Sequence, residues 1–268
     1  MLPVIFPRHI FWKVFLTDSD PYSPFGKQTR SRIKKTIEIL KDAGYTFIFE
    51  EVDTPYLDKF VPAYEAFISS KDRGTVFPIR DRIAEGRVRG RIYKALSLYK
   101  HTEYLGGLIF SIDPGFNYLA SNYKVFPHEI PEKTPIAVSF VVEKYFNDYA
   151  ISNKSEYIIH GLDRNIYGFH SNIGLACYKI QVGGRPFIPL KRTSTNEPNE
   201  ILHTLPLFEE DLLVFLGEKH EEFITEALLV SEKPEEELQK KFPILFSNNY
   251  FKTHIVSHSE VPTNPDWK

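Results

Sequence analysis

Three apolar, β-branched runs follow one another directly between residues 92 and 126: IYKALSLYK, YLGGLIFSID and FNYLASNYKVF. Each has strand composition and no helical period separates them, so three successive strands are expected. Asp113, Pro114 and Gly115 supply the turn between the last two. Strands joined this closely pair antiparallel. The next segment, TPIAVSFVVEKYFNDYAISNK, reads as a helix with a Thr-Pro start, apolar enough to pack against a sheet. SEYIIHGLD is short and β-rich, SNIGLACYKIQVGG is helical up to a glycine pair that stops it, and RPFIPLKR is extended. A meander followed by strand-helix-strand crossovers builds a mixed sheet with helices on its faces.

Upstream, the turn DSDPYSPFG leads into KQTRSRIKKTIEILKDAG, where Ile33, Ile37 and Leu40 fall at helical spacing and Gly44 stands as the stop. Its exposed face carries Arg30, Arg32, Lys34, Lys35 and Lys41. YTFIFEEV is a strand, and TPYLDKFVPAYEAFISSK a helix with Thr54 as N-cap, Pro55 at its first position and a break or kink at Pro62. RDRIAEGRVRGR reads as a short helix followed by a basic turn. The order is helix, strand, helix, three strands, helix, strand, helix, strand. A doubly wound nucleotide fold would alternate from the start, and neither G-x-G-x-x-G nor G-x-x-x-x-G-K occurs. TSTNEPNE is polar and turn-rich, which sets the expected organisation: a main domain over 1–194 and an extension over 195–268 packed on it, with Ser231 as a helix N-cap.

The chain of 268 residues is 42% hydrophobic, enough for a sizeable core, and its 33 basic and 35 acidic residues give a net charge of −2. That balance offers no global attraction to nucleic acid or an anionic membrane. Cys177 is the one cysteine, which rules out an intrachain disulfide; within LACYKI it reads as a small buried residue rather than a nucleophile. Pro3, Pro7, Arg8 and Lys13 interrupt the hydrophobic start, so neither a signal peptide nor a membrane span is expected, and a cytoplasmic location follows. No metal site is expected.

Two segments carry a resemblance. KQTRSRIKKTIEILKDAGYTFIFEEVDTPYLDKFVPAYEAF resembles the opening of the Fem-type peptidyltransferase and FemAB-like acetyltransferase branch of the Gcn5-related acyltransferases (GNAT), and IGLACYKIQVGGRPFIP resembles its closing pattern. The likeness spans roughly residues 27 to 190, with an N-terminal strand outside it. It implies a GNAT-like mixed α/β fold and transfer of an acyl group to a primary amine of a small molecule, amino sugar or peptide. Acyl-CoA is the donor expected first. The alternatives are an aminoacyl-tRNA donor, as Fem-type relatives use, held on the basic 27–44 helix, or a domain that kept the fold and only binds. The strand-to-helix junction FPHEIPEKTPIA departs from the family's glycine-rich phosphate grip: its prolines lack donors and its glutamates repel phosphate.

The segment HGLDRNIYGFHSN, 160–172, follows the strand YII and leads into the next helix, which in the implied fold is where acceptor and donor meet. His160 and His170 are candidate bases, since imidazole titrates near neutrality. Asp163 would hold the acceptor amine or orient a histidine, and Arg164 would pair with an anion. Asn165, Ser171 and Asn172, with Tyr123 on the NYLASNY strand, complete the expected substrate site, and a main-chain N–H of NYLASNY would stabilise the oxyanion. For the donor's phosphates, Arg87, Arg89 and Arg91 project from one side if GRVRGRIYK is extended, and Lys179 matches a lysine of the family's closing pattern.

Overall fold

A computed structural model describes residues 1–16, 19–71, 76–127, 130–189, 198–219 and 223–267. The chain divides into two compact units, one of residues 14–160 and one of residues 1–13 with 161–268. Its elements in chain order are β1 (His9–Phe15), α1 (Lys27–Asp42), β2 (Tyr45–Glu51), α2 (Thr54–Ser69), α3 (Ile79–Val88), β3 (Ile92–Lys100), β4 (Glu103–Ile112), β5 (Tyr118–Val125), α4 (Val138–Ser152), β6 (Tyr157–Arg164), α5 (Ile173–Gln181) and β7 (Arg185–Phe187). They are followed by β8 (Leu212–Leu216), β9 (Glu226–Val230), α6 (Glu235–Lys241), α7 (Pro243–Ser247) and β10 (Lys252–Val256), besides pieces of two or three residues. The fold is mixed α/β, with the element order read from the sequence and the short helix of RDRIAEGRVRGR present as α3.

In the 14–160 unit β2, β3, β4 and β5 form the antiparallel meander, and α4 then returns the chain so that β6 lies parallel to β5. One sheet face is covered by α2 and α3, whose Tyr56, Phe60, Tyr64, Ile79 and Ile83 share a core with Ala95 and Ile109. Helix α1 ends as read: Gly44 has φ +80, and a Cβ there would meet the His101 ring. Three local expectations are corrected. The N-cap of α2 is Asp53, whose carboxylate accepts from Tyr56 N at 2.8 Å, so Thr54 already lies within the helix. Pro62 does not break α2, which continues to Ser69. Its missing N–H would have bonded the carbonyl of Asp58, which is exposed and open to water. Thr134 caps nothing, because α4 begins at Val138 after Ala137.

The other unit explains the apolar runs beyond residue 210. Sheet β8-β9-β10 is buried on both faces: Leu213, Phe215, Ala227 and Leu229 pack with Trp12, Tyr167 and Ile180, and Leu212, Val214, Leu228 and Val230 with Phe6, Ile166 and Leu205. Strands buried on both sides read as continuous rather than alternating apolar sequence. The expected boundary at 194/195 lies outside the described residues. Ser231 is not the cap of α6, whose N-cap is Pro234. Its hydroxyl instead donates to Asp211, which also accepts from Lys233 and Lys241 at 2.8 Å each. Among the described residues no helix is long and apolar enough to cross a membrane.

Those donors hold the Asp211 carboxyl down at about 2, against the desolvation that opposes them. A depressed folded-state pKa stabilises fully above the unfolded value and loses its contribution as pH falls through the folded one. Because both lysines are about half exposed, the contribution is set at about 1–2 kcal/mol. Asp211→Asn should therefore lower stability at pH 7 and should have a flatter loss of stability between pH 4 and 2 than wild type, measured by urea unfolding across that range.

Candidate functional site

The parallel pair β5–β6 runs in register from Tyr118↔Tyr157 to Ser121↔His160 and stops there. Strand β5 continues to Val125 on its β4 side, with a bulge that leaves Asn122 without an opposite residue. Bulges increase local twist and re-aim the strand. Beyond Ser121, then, one edge of β5 has no strand partner among the described residues.

At the point of parting stands a carboxylate the sequence reading missed. Glu143 of α4 is 1% exposed, with Oε1 accepting from Lys124 Nζ at 2.8 Å and Oε2 lying 3.5 Å from His160 Nε2. His160 is a strand residue, buried at 6% exposure, and Lys124 sits at the rim. A carboxylate this deep persists only when paired. Its two contacts differ: the lysine bond is short, while the 3.5 Å to the imidazole is ion-pair range and not a hydrogen bond. The signal was legible as the one acid inside the apolar run VSFVVEKYF.

The other candidates from HGLDRNIYGFHSN separate into different places. Asp163 Oδ2 accepts from Trp12 Nε1 at 2.9 Å, Tyr167 OH at 2.6 Å and Lys179 Nζ at 2.5 Å. Trp12 and Tyr167 are fully buried, and burial beside Asp163 pushes the Tyr167 phenol well above its usual pKa. Lys179, expected on a donor phosphate, is the counter-ion of Asp163. Arg164, next along β6, points to the opposite side, where its guanidinium meets His170 Nδ1 at 3.2 Å, and His170 packs on Trp267 at 5.7 Å. Asn165 is wholly buried: its amide donates to the carbonyls of Pro7 and Phe215, and its oxygen accepts from Phe215 N. That use of the amide corrects its assignment to substrate. Asn172 caps α5 through Gly174 N at 2.7 Å, and the Ser171 carbonyl accepts from Gly168 N. Gly168 has φ +98, and a Cβ there would strike the Asp211 carbonyl. Tyr123, on β5 beyond the parting, packs edge-on against Tyr64 at 5.8 Å, and burial raises its pKa.

The arginine trio is also corrected. GRVRGR is not extended: α3 runs to Val88, Arg89 is its C-cap and Gly90 turns at φ +83. Arg87 donates to the Val52 carbonyl, Arg91 lies 3.8 Å from Asp113, and Arg89 is exposed. Arg87 and Arg91 do line one hollow of about 460 Å³ with Glu51, Asp53 and Thr54. Register places it away from the parting strands. Ile92 lies opposite Ile112, and Ile112 opposite Leu119, at the end where β5 and β6 are still paired. The open end is at Val125, opposite Gly107 and Ser97, roughly 16 Å along β3. Cys177 stays out of the chemistry, since burial pushes its thiol up to about 11. Of the basic face of α1, Arg30 is taken up by the carbonyls of Phe25 and Ser23, while Arg32, Lys34, Lys35 and Lys41 are exposed.

No family model matches the sequence, and no curated protein sequence matches it. Solved structures similar to the chain include the C-terminal domain (DUF2156) of a protein from Agrobacterium fabrum described as a lysylphosphatidylglycerol synthetase, at 11% identity and TM-score 0.48, covering 74% of this chain and 61% of that one. FemX is similar at 11% identity and TM-score 0.47, covering 66% and 59%. A tandem GNAT protein from the clavulanic acid biosynthesis pathway is similar at 16% identity and TM-score 0.41, covering 69% and 52%. The chain thus spans between half and two thirds of these structures' lengths. The two groups named by the sequence resemblance, GNAT and Fem, are both among them.

Proposed function

We propose that the chain transfers an acyl group to a primary amine where β5 and β6 part. The observation that supports this reading is the coincidence, at Ser121↔His160, of an ended parallel ladder, a bulged neighbour and a carboxylate-backed imidazole. Chemically, the ammonium acceptor must first lose a proton, which His160 takes. The amine nitrogen then bonds to the acyl carbon, and a main-chain N–H of the 122–124 stretch stabilises the oxyanion before the bond to the leaving group breaks. The proton on His160 goes to the departing thiolate or alkoxide, and the nitrogen, positively charged after attack, gives up its second proton to solvent as the amide forms. No covalent enzyme intermediate is required.

Acyl-CoA remains the proposed donor. The crossover topology puts the N-terminus of α4 at the open end, and its first turn has no side-chain cap and no acid. Glu132, one of the glutamates in the preceding junction, is neutralised by Lys100 at 2.8 Å and bonded by Tyr45. An anionic donor therefore meets less repulsion there than the bare sequence implied. The exposed Arg32, Lys34, Lys35 and Lys41 favour, as second reading, an aminoacyl-tRNA donor. The test is to supply acetyl-CoA with a panel of polyamines, amino sugars and peptides and to titrate released thiol, then to repeat with charged tRNA and follow transfer of the aminoacyl group. Amine-dependent thiol release is expected. Transfer from tRNA alone would favour the second reading, and transfer from neither donor would overturn both.

A further inference from the structure

Among the described residues strand β2 is the outer strand of its sheet, with β3 as its one strand neighbour. It reads YTFIFEE, seven residues of high strand propensity. Outer strands usually protect their free main-chain edge with charged side chains, lysine above all, with inward-pointing charges, proline, a bulge, a short length or a covering segment, and here, among the described residues, only the two terminal glutamates do so. This strand has no lysine or proline, and its register with β3 is unbroken from Tyr45↔Lys100 to Glu51↔Lys94. Its two acids are drawn toward the sheet: Glu50 bonds Lys59 at 2.7 Å, and Glu51 lies 3.0 Å from Lys94. Thr46, Ile48, Phe49 and Glu51 are exposed, with Ile48 at 46% and Phe49 at 40%. On the face toward α4, Phe47 stacks on Tyr145 at 4.8 Å and Phe49 on Tyr149 at 4.7 Å, and both tyrosines are half-buried. An aromatic layer thus runs out to the sheet edge and ends there.

We infer that this edge pairs with the same edge of a second copy of the chain, β2 against β2, antiparallel about a two-fold axis through Ile48. That register is the one that matches all seven residues with their counterparts. It sets Ile48 against Ile48, Phe47 against Phe49, Thr46 against Glu50 and Tyr45 against Glu51. No two acids face one another, and opposed aromatic and β-branched residues are the favourable cross-strand pairs. A two-fold axis normal to the sheet keeps both α4 helices on one side, so Tyr145 and Tyr149 of the two copies cover a continuous aromatic layer. The inference rests on this sheet edge alone and is independent of the transferase reading.

Light scattering on the full chain at tens of micromolar should give the mass of two chains, and Ile48→Lys, a change at an exposed position, should give the mass of one. Oxidative cross-linking in a Cys177→Ala background fixes the register. Ile48→Cys should form a disulfide-linked dimer, its partner lying roughly 5 Å away across the pair. Thr46→Cys, displaced from its counterpart by roughly 13 Å, should not. A single-chain mass for the wild-type protein, a dimer that survives Ile48→Lys, or equal cross-linking at both positions would overturn the proposal.

Discussion

Asp163→Ala is expected to lower the unfolding free energy by about 3–5 kcal/mol, the cost of removing one partner from a buried ion pair. The carboxylate is the shared acceptor of Trp12, Tyr167 and Lys179, so its loss removes the counter-ion of the buried ammonium and the acceptor of the Tyr167 phenol, while the indole N–H keeps the Tyr167 hydroxyl at 2.9 Å. Urea unfolding at pH 7 measures it. Lys179→Met should cost a comparable amount for the mirror-image reason, and the double variant should lose much less than the sum of the two, because it leaves neither charge unpaired. Additive losses, or a loss below about 1 kcal/mol for Asp163→Ala, would contradict the account of this cluster. On sequence alone, Asp163 is assigned to the acceptor amine or to a histidine. Three donors on one buried oxygen make stability the primary effect.

That difference comes from where one strand ends. The run YII is visibly β, and the polar residues after it look like a loop, so His160, Asp163, Arg164 and His170 were gathered into one site. Strand β6 in fact continues through Arg164, and alternation sends Asp163 and Arg164 to opposite sides. Asn165 and Tyr167 then act as neighbours of β8: Tyr167 and Leu213 exchange both main-chain hydrogen bonds, and the Asn165 amide bonds the Phe215 main chain. Those partners lie some fifty residues downstream, beyond the reach of local pattern. By contrast, the meander, its Asp113 turn, the basic helix ending at Gly44 and the α5 helix ending before the glycine pair depend on neighbouring residues and were legible. The arginine trio failed on a boundary of the same kind, since α3 extends three residues into the stretch taken as extended. Glu143 was missed because a lone acid in an apolar helix was passed over as part of the sheet-packing face.

The second large effect belongs to His160. If, as proposed, it takes the acceptor's proton, its replacement by alanine should lower turnover by ~10²–10⁴-fold, the range for a positioned general base. Glu143→Gln keeps the shape of the pair and removes the negative charge behind the imidazole. It should lower turnover less than His160→Ala does. Turnover unchanged in Glu143→Gln at every pH would detach Glu143 from the chemistry.

The most direct measurement is the rate of amine-dependent acyl transfer in wild type and His160→Ala side by side, each first shown by urea unfolding to be folded. If the parting of β5 and β6 is the site of transfer, the variant loses at least ~10²-fold in rate while its native fraction stays complete. A folded His160→Ala protein that transfers the acyl group at the wild-type rate would contradict the placement of the reaction at the Ser121–His160 parting.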